Sequence, residues 1–167
     1  MEQYEKKGYL NSEFKLFHLT DQETTEVDYH YHDFDKITIF IQGKVNYMIE
    51  GRSYDLKPYD IVLVKQGDIH KLTVDNSCLY ERIIVYISPN FMNAYQTENY
   101  DLSYCFQKAD QEHSNVLRIP SPEKSSLFRS ISNLEHSFTD GGYASELYRQ
   151  VMFLEFMIHL NRAVRKN

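Results

Sequence analysis

The chain has no tryptophan, only two cysteines, and few loop-punctuating residues, with six glycines and four prolines among its 167 residues. Cys78 and Cys105 show neither CxxC nor Cys/His-knuckle spacing, which excludes a disulfide framework and a zinc knuckle and suits a reducing cytoplasm. No apolar run approaches the ~20 residues of a membrane span. The nearest, VMFLEFMIHL, is short and carries Glu155 and His159, and no apolar stretch of signal-peptide type follows the N-terminal MEQYEKKGYL. A cytoplasmic protein without a membrane partner is expected. Basic residues are outnumbered 18 to 24, for a net charge of −6. The chain therefore lacks the electrostatic footprint that holds a phosphate backbone, and direct DNA binding is not expected of it.

What is abundant is aromatic: 14 tyrosines and 10 phenylalanines. That suits stacked sheets with a lined interior, in a chain of a length that makes one domain. Up to about residue 88, short β-branched and aromatic runs alternate with turn residues: KITIFIQ, KVNYMIEG, SYDL, DIVLVKQG, HKLTV and YERIIVYIS. Their close spacing without intervening helices predicts an antiparallel sandwich or barrel. SPNFMNAYQ reads as a short helix near 89–97, with Ser88 as N-cap. A polar stretch then runs through His113, followed by a brief VLRI strand. Leu127, Ile131, Leu134 and Phe138 recur at helical spacing over 122–138, and Asp140, Gly141 and Gly142 stop that helix. A second helix, from about Tyr143 to Val164, completes a helical hairpin spanning 122–165.

This last helix carries two apolar seams. Leu147, Val151, Leu154 and Ile158 form one; Phe153, Met157, Leu160 and Val164 form another, displaced around the axis. Two seams need two partners, so a homodimer is expected, with Leu147, Val151, Leu154, Met157 and Ile158 at its interface. The alternative is that helix 122–138 and the barrel together cover both faces.

The candidate site lies in the β half. His30, His32, Phe34, Lys36, Thr38 and Phe40 share one parity, so on a continuous strand they share one face, with Ile37, Ile39 and Ile41 on the other. His70 heads another strand after QGD, and three histidines from neighbouring strands could converge on one ion or ligand. His18, His113, His136 and His159 have no convergent partners in the sequence. Arg82 could pair with Glu81 or another acid, and Lys36 could reach out from a barrel rim.

The run HYHDFDKITIFIQGKVNYMIEGRSYDLKPYDIVLVKQGDIH resembles the core of the cupin superfamily, with its HxH, Glu, Gly and later PxGxxH motifs. With YERIIVYISPNFM, VLRIP and the paired helices ending LEFMIHLNRAV, it resembles more narrowly the sensor domain of AraC/XylS-type transcriptional regulators, over roughly residues 10–165. The resemblance implies a mainly β domain with C-terminal α structure: a cupin-like antiparallel barrel, of the double-stranded β-helix or jelly-roll kind, over about 10–120, then the hairpin. It implies a small-molecule effector, such as a sugar or other metabolite, bound inside the barrel, and no cofactor. DNA would be contacted only through a helix-turn-helix domain that this chain does not supply.

Two departures matter. Lys36 stands where metal cupins carry Glu, and Lys65 replaces the Pro of the second motif while Gly67 is retained. A protonated lysine donates no lone pair and repels a dication, so His30, His32 and His70 as a metal set is the weaker alternative, belonging to a small metal-dependent isomerase or dioxygenase. The expected effector-binding residues are His30, His32, Lys36 and His70, with Tyr47 on the KVNYMIEG strand. Family geometry adds Tyr80, Arg82 and Tyr86 from the alternation of YERIIVY. A collapsed barrel serving only dimerisation is a third reading.

Overall fold

The computed structural model describes residues 4–22 and 26–166. The strands, in chain order, are β1 (Glu5–Lys6), β2 (Phe14–Asp21), β3 (Glu26–Tyr31), β4 (Asp35–Gln42), β5 (Lys44–Ile49), β6 (Arg52–Asp55), β7 (Ile61–Val64), β8 (His70–Asp75), β9 (Tyr80–Ile87) and β10 (Val116–Leu117). They form two five-stranded sheets. The first has the order β1-β3-β8-β5-β6 and the second β10-β7-β4-β9-β2. All pairings are antiparallel except β1 with β3. This is the antiparallel sandwich that the turn spacing predicts, in the jelly-roll form that the cupin resemblance implies.

Local chemistry explains the turns. Glu50 and Gly51, at φ 48° and 81°, make the two-residue link between β5 and β6. Two successive positive φ values match the right-handed twist of a tight hairpin. Gly67 sits at φ 84°, and the turn around it closes through Asp68, whose carboxylate accepts from Lys65 N at 3.0 Å. The motif's turn thus survives the loss of its proline.

The helices are α1 (Pro89–Met92), α2 (Tyr104–Glu112), α3 (Ser126–Ser137) and α4 (Ser145–Lys166). Ser88 caps α1 by accepting from Phe91 N, and Ser125 caps α3 by accepting from Phe128 N. α3 and α4 pair as the expected hairpin, although residues Pro122–Lys124 form a separate 3-10 turn. α2 occupies the stretch that reads as merely polar. Its first turn is tied down remotely: buried Asn161 of α4 accepts from Cys105 N at 2.8 Å and donates to Leu102 O at 2.8 Å. A cap supplied from 56 residues away leaves no mark in the local sequence.

Two apolar layers result. Phe40, Val45, Tyr47, Ile49, Val62 and Val64 pack between the sheets. Ile37, Ile39, Ile83, Val85 and Ile87, on the outer face of the second sheet, pack against Leu134, Phe153, Phe156 and Met157 of the hairpin. Phe14 stacks on Phe153 with ring centroids 4.3 Å apart.

Two expectations are corrected here. His30 through Phe40 is not one strand, because the chain bends at residues 32–34 and passes from β3 in the first sheet to β4 in the second. The shared inward face persists because the two sheets face each other across the bend. Met157 is fully buried in the outer layer, so it cannot belong to an exposed seam; the neighbouring register of Leu147, Val151 and Ile158 faces outward, Leu147 being 60% exposed.

Candidate functional site

The inner face of the second sheet can be read across its strands. Lys15, Tyr86, Lys36 and Val64 form one row; Phe17, Ile84, Thr38 and Val62 the next; Leu19, Arg82 and Phe40 the third. Each row runs from open to closed. Thr38 and Lys36 are 1% and 8% exposed, whereas Phe17 and Leu19 on edge strand β2 are 37% and 39% exposed although they face inward. Phe17 and Leu19, on the edge strand of the second sheet, are therefore the inward-facing apolar residues left open to solvent. Phe17 packs edge-on to Tyr86, with centroids 5.2 Å apart. Sequence reading missed Phe17 and Leu19, whose run FKLFHLTD is apolar on both parities and does not declare which face is inside.

Against this face the first sheet sets its histidines. His30 and His70 are paired across β3 and β8, and His32 follows on the bend. The nitrogen of each that could hold a ligand lies within 4.8 Å of the others. Each Nδ1 is tied to a backbone carbonyl: His30 to Asp28 O at 2.8 Å, His32 to Lys7 O at 2.7 Å and His70 to Asp68 O at 3.0 Å. A carbonyl only accepts, so each Nδ1 carries the proton and each Nε2 presents a lone pair inward. His32 Nε2 and His70 Nε2 stand 3.2 Å apart, two acceptors facing each other with no hydrogen to share. Burial keeps all three neutral, with Lys36 adding to the effect; it pulls His32 down to about 4 and His70 to about 3.

Lys36 Nζ donates to Tyr47 Oη at 2.9 Å, in the same buried space. Burial lowers the lysine from its usual range, the Tyr86 side chain opposing that shift and the Arg82 charge adding to it. Burial likewise pushes the Tyr47 phenol up to about 12. Thr38 Oγ1, beside Tyr47, completes no hydrogen bond of good geometry, and Arg82 Nε is likewise buried without one. Arg82 is otherwise held, its Nη1 pairing with Asp21 at 3.0 Å and its guanidinium lying 4.0 Å over the Tyr80 ring. The structure thus brings His30, His32, His70, Lys36 and Tyr47 together and sets Tyr80 and Arg82 beside them. It leaves several inward polar atoms unsatisfied, an expensive arrangement unless something fills it.

Three imidazole Nε2 atoms suit a transition metal. Lys36, which stands in the sequence where metal cupins carry Glu, brings no carboxylate to this set and in its protonated form repels a dication, so the residues fit a metal centre less well than a ligand with hydroxyl groups.

A jelly roll whose interior gathers unsatisfied acceptors and a buried amine is a small-molecule-binding domain in its architecture. The chain belongs to the AraC-like ligand binding domain family, whose model matches residues 16–151. Among solved structures it is similar to a cupin superfamily protein of Desulfitobacterium hafniense, at 14% identity over 47% of this chain and 71% of that one, with a TM-score of 0.41. It is also similar to an RmlC-like cupin with a double-stranded β-helix fold from Methanocaldococcus jannaschii, at 22% identity over 50% of this chain and 80% of that one, with a TM-score of 0.42. No curated protein matches the sequence. Among the described residues, no helix is long and apolar enough to cross a membrane.

Proposed function

We propose that this domain senses a small polyhydroxylated metabolite, a sugar or a relative of one, in the inner layer of the jelly roll. The observation that carries the reading is the set of three Nε2 lone pairs whose Nδ1 hydrogens are already committed to carbonyls. At these three positions the site lacks donors, and hydroxyl groups supply them. A simple carboxylate, which only accepts, satisfies Lys36 and leaves the imidazoles unpaired. The exposed inward residues Phe17 and Leu19 mark the entrance, with Tyr86 and Ile84 behind them. Lys36 and Tyr47 hold a ligand oxygen at the inner end, and Thr38 and Arg82 complete the contacts.

The output is regulatory rather than catalytic in this reading. Ligand binding biases a homodimer built on the exposed α4 seam of Leu147, Val151, Leu154 and Ile158, in the cytoplasm. DNA is then contacted through a helix-turn-helix unit of the regulator, not through this acidic domain. The exposure of three large apolar side chains on one helix face supports the dimer.

The test is thermal shift against a panel of sugars, polyols and simple carboxylates. A polyol at about 100 times its dissociation constant stabilises the fold by about 2.7 kcal/mol, and Lys36→Met weakens that binding by about 1.5–3 kcal/mol. If only carboxylates bind, or Lys36→Met leaves affinity unchanged, the reading fails. Near-stoichiometric transition metal in protein purified without chelator would turn it toward the metal-dependent cupin enzyme. For the dimer, Val151→Glu should give a folded monomer by light scattering; a wild type already monomeric at high concentration removes that part.

A further inference from the structure

A cavity of about 670 Å³ lies between α4 and the segment that follows α1, and none of its lining residues belongs to the inner layer. Leu102, Leu154 and Ile158 form its apolar lining, and Tyr95, Tyr100 and Tyr104 bring three aromatic rings to it. Its volume falls within the ~300–1,000 Å³ typical of small-molecule sites.

Three polar side chains of this cleft, those of Tyr95, Asp101 and Asn161, are already engaged. Tyr95 Oη accepts from Gln150 Nε2 at 3.1 Å. The Asp101 carboxylate accepts from Ser103 N at 2.8 Å and from Gln107 Nε2 at 2.7 Å, and Asn161 ties α2 to α4. The two guanidinium groups on the C-terminal turns of α4, Arg162 and Arg165, are exposed and have no acidic partner among the described residues. Their two full charges exceed the partial negative charge at a helix C-terminus. An apolar, aromatic-walled cleft edged by two unpaired guanidiniums complements a planar apolar body with one carboxylate: rings stack on tyrosine, and the guanidinium fork holds a carboxylate with two parallel hydrogen bonds.

We propose that this cleft is a second ligand site, distinct from the jelly-roll interior, for an aromatic carboxylate. It shares Leu154 and Ile158 with the exposed seam of α4, so a second copy of the chain seated there would compete for it.

The experiment titrates 1-naphthoate into the chain and follows the ligand's fluorescence, which no tryptophan background obscures. Saturable binding is expected, about tenfold or more weaker in the Arg162→Gln/Arg165→Gln double variant. Uncharged 1-naphthalenemethanol should be weakened similarly, and Lys36→Met should bind 1-naphthoate like wild type. The titration is repeated on Leu147→Glu, a change on the seam but outside the cleft, so that a dimer covering the cleft does not mask it. Binding absent from both wild type and Leu147→Glu overturns the proposal. So does equal affinity for the uncharged analogue or for the arginine double variant. A loss confined to Lys36→Met places the ligand in the jelly-roll interior and also overturns it.

Discussion

Strand β4 has two buried faces with opposite character. Outward, Ile37 and Ile39 meet the helical hairpin in a layer where apolar surfaces match and rings stack. Inward, Lys36 and Thr38 meet histidines, a tyrosine and the edge of Arg82, and several polar atoms remain without partners. Burial is nearly complete on both sides, so burial alone does not separate stability from function. The difference lies in satisfaction. A layer built almost wholly of matched apolar contacts, with Arg149 Nε its one buried unpartnered side-chain atom among the described residues, holds the fold, and one that gathers donors and acceptors in reserve is organised to receive something else.

The largest effects should therefore come from the outer layer. Phe153 is fully buried and stacks on Phe14. Phe153→Ala should cost about 3–5 kcal/mol through lost transfer energy and the cavity left behind, and Ile39→Ala about 2–5. Urea unfolding gives the comparison. If either costs less than about 1 kcal/mol, the outer layer is not what holds the sheet to its helices.

Acidification should act on the inner layer, by a few kcal/mol in order of magnitude. His32 and His70 are held at about 4 and about 3 against an ordinary 6.5, so they stay neutral in the fold and protonate once the chain unfolds. Over the window from about pH 6.5 to 4 the unfolded chain binds the extra protons, and stability falls as pH falls. Asp35 and Asp68 oppose this. Burial raises both from 3.8 to about 6, so the fold binds their protons first and gains stability on acidification across much the same window. The imidazoles shift further, and lowered His30 joins them. Replacing them with His32→Asn/His70→Asn should reverse the slope, so that the variant gains stability from pH 6 to pH 4. Urea midpoints at each pH read it, and an unchanged slope would mean that the histidines are not the source.

Much of this division was legible in the sequence. The parity of His30 through Phe40 separated the two faces of β4, and the QGDIH run brought in His70. The bend at residues 32–34 was not legible, because a continuous strand and a chain crossing between facing sheets give the same alternation. Nor was α2, capped by distant Asn161. Phe17 and Leu19 were hidden by an edge strand apolar on both parities. On α4 the two seams were separable, and Met157 falls with Phe153, Leu160 and Val164 in the one the structure buries, so spacing separated the stripes but did not bar Met157 from the expected dimer interface.

Lys36→Met sharpens the comparison at a smaller scale. A buried ammonium without a carboxylate partner is not a stabilising feature, and an apolar chain of similar length removes its desolvation cost. Stability should be unchanged or raised by about 1 kcal/mol, while Ile39→Ala on the same strand loses several times that. A loss above about 2 kcal/mol on Lys36→Met would make the amine a structural member and erase the contrast between the two faces.

The smallest effect should come from the polar link in the outer layer. His18 lies on β2 between inward-facing Phe17 and Leu19, but its own ring points outward. There Nε2 meets Glu81 Oε2 at 2.7 Å and Nδ1 meets Glu135 Oε2 of α3 at 2.5 Å. Burial alone would lower its pKa, but hydrogen bonds and charge from the two glutamates outweigh that and raise it. A raised value means the fold binds this proton more tightly than the unfolded chain. The contribution is therefore full below the ordinary 6.5 and is lost as pH rises through the raised value. The side chain is a third exposed, so solvent screening limits the gain. His18→Gln should cost under about 1 kcal/mol at pH 6 and nothing measurable at pH 9. Urea midpoints at the two pH values decide it. A loss above about 2 kcal/mol, or one equal at both pH values, would show that α3 is held to the sheet by this ion pair rather than by the apolar surface beneath it.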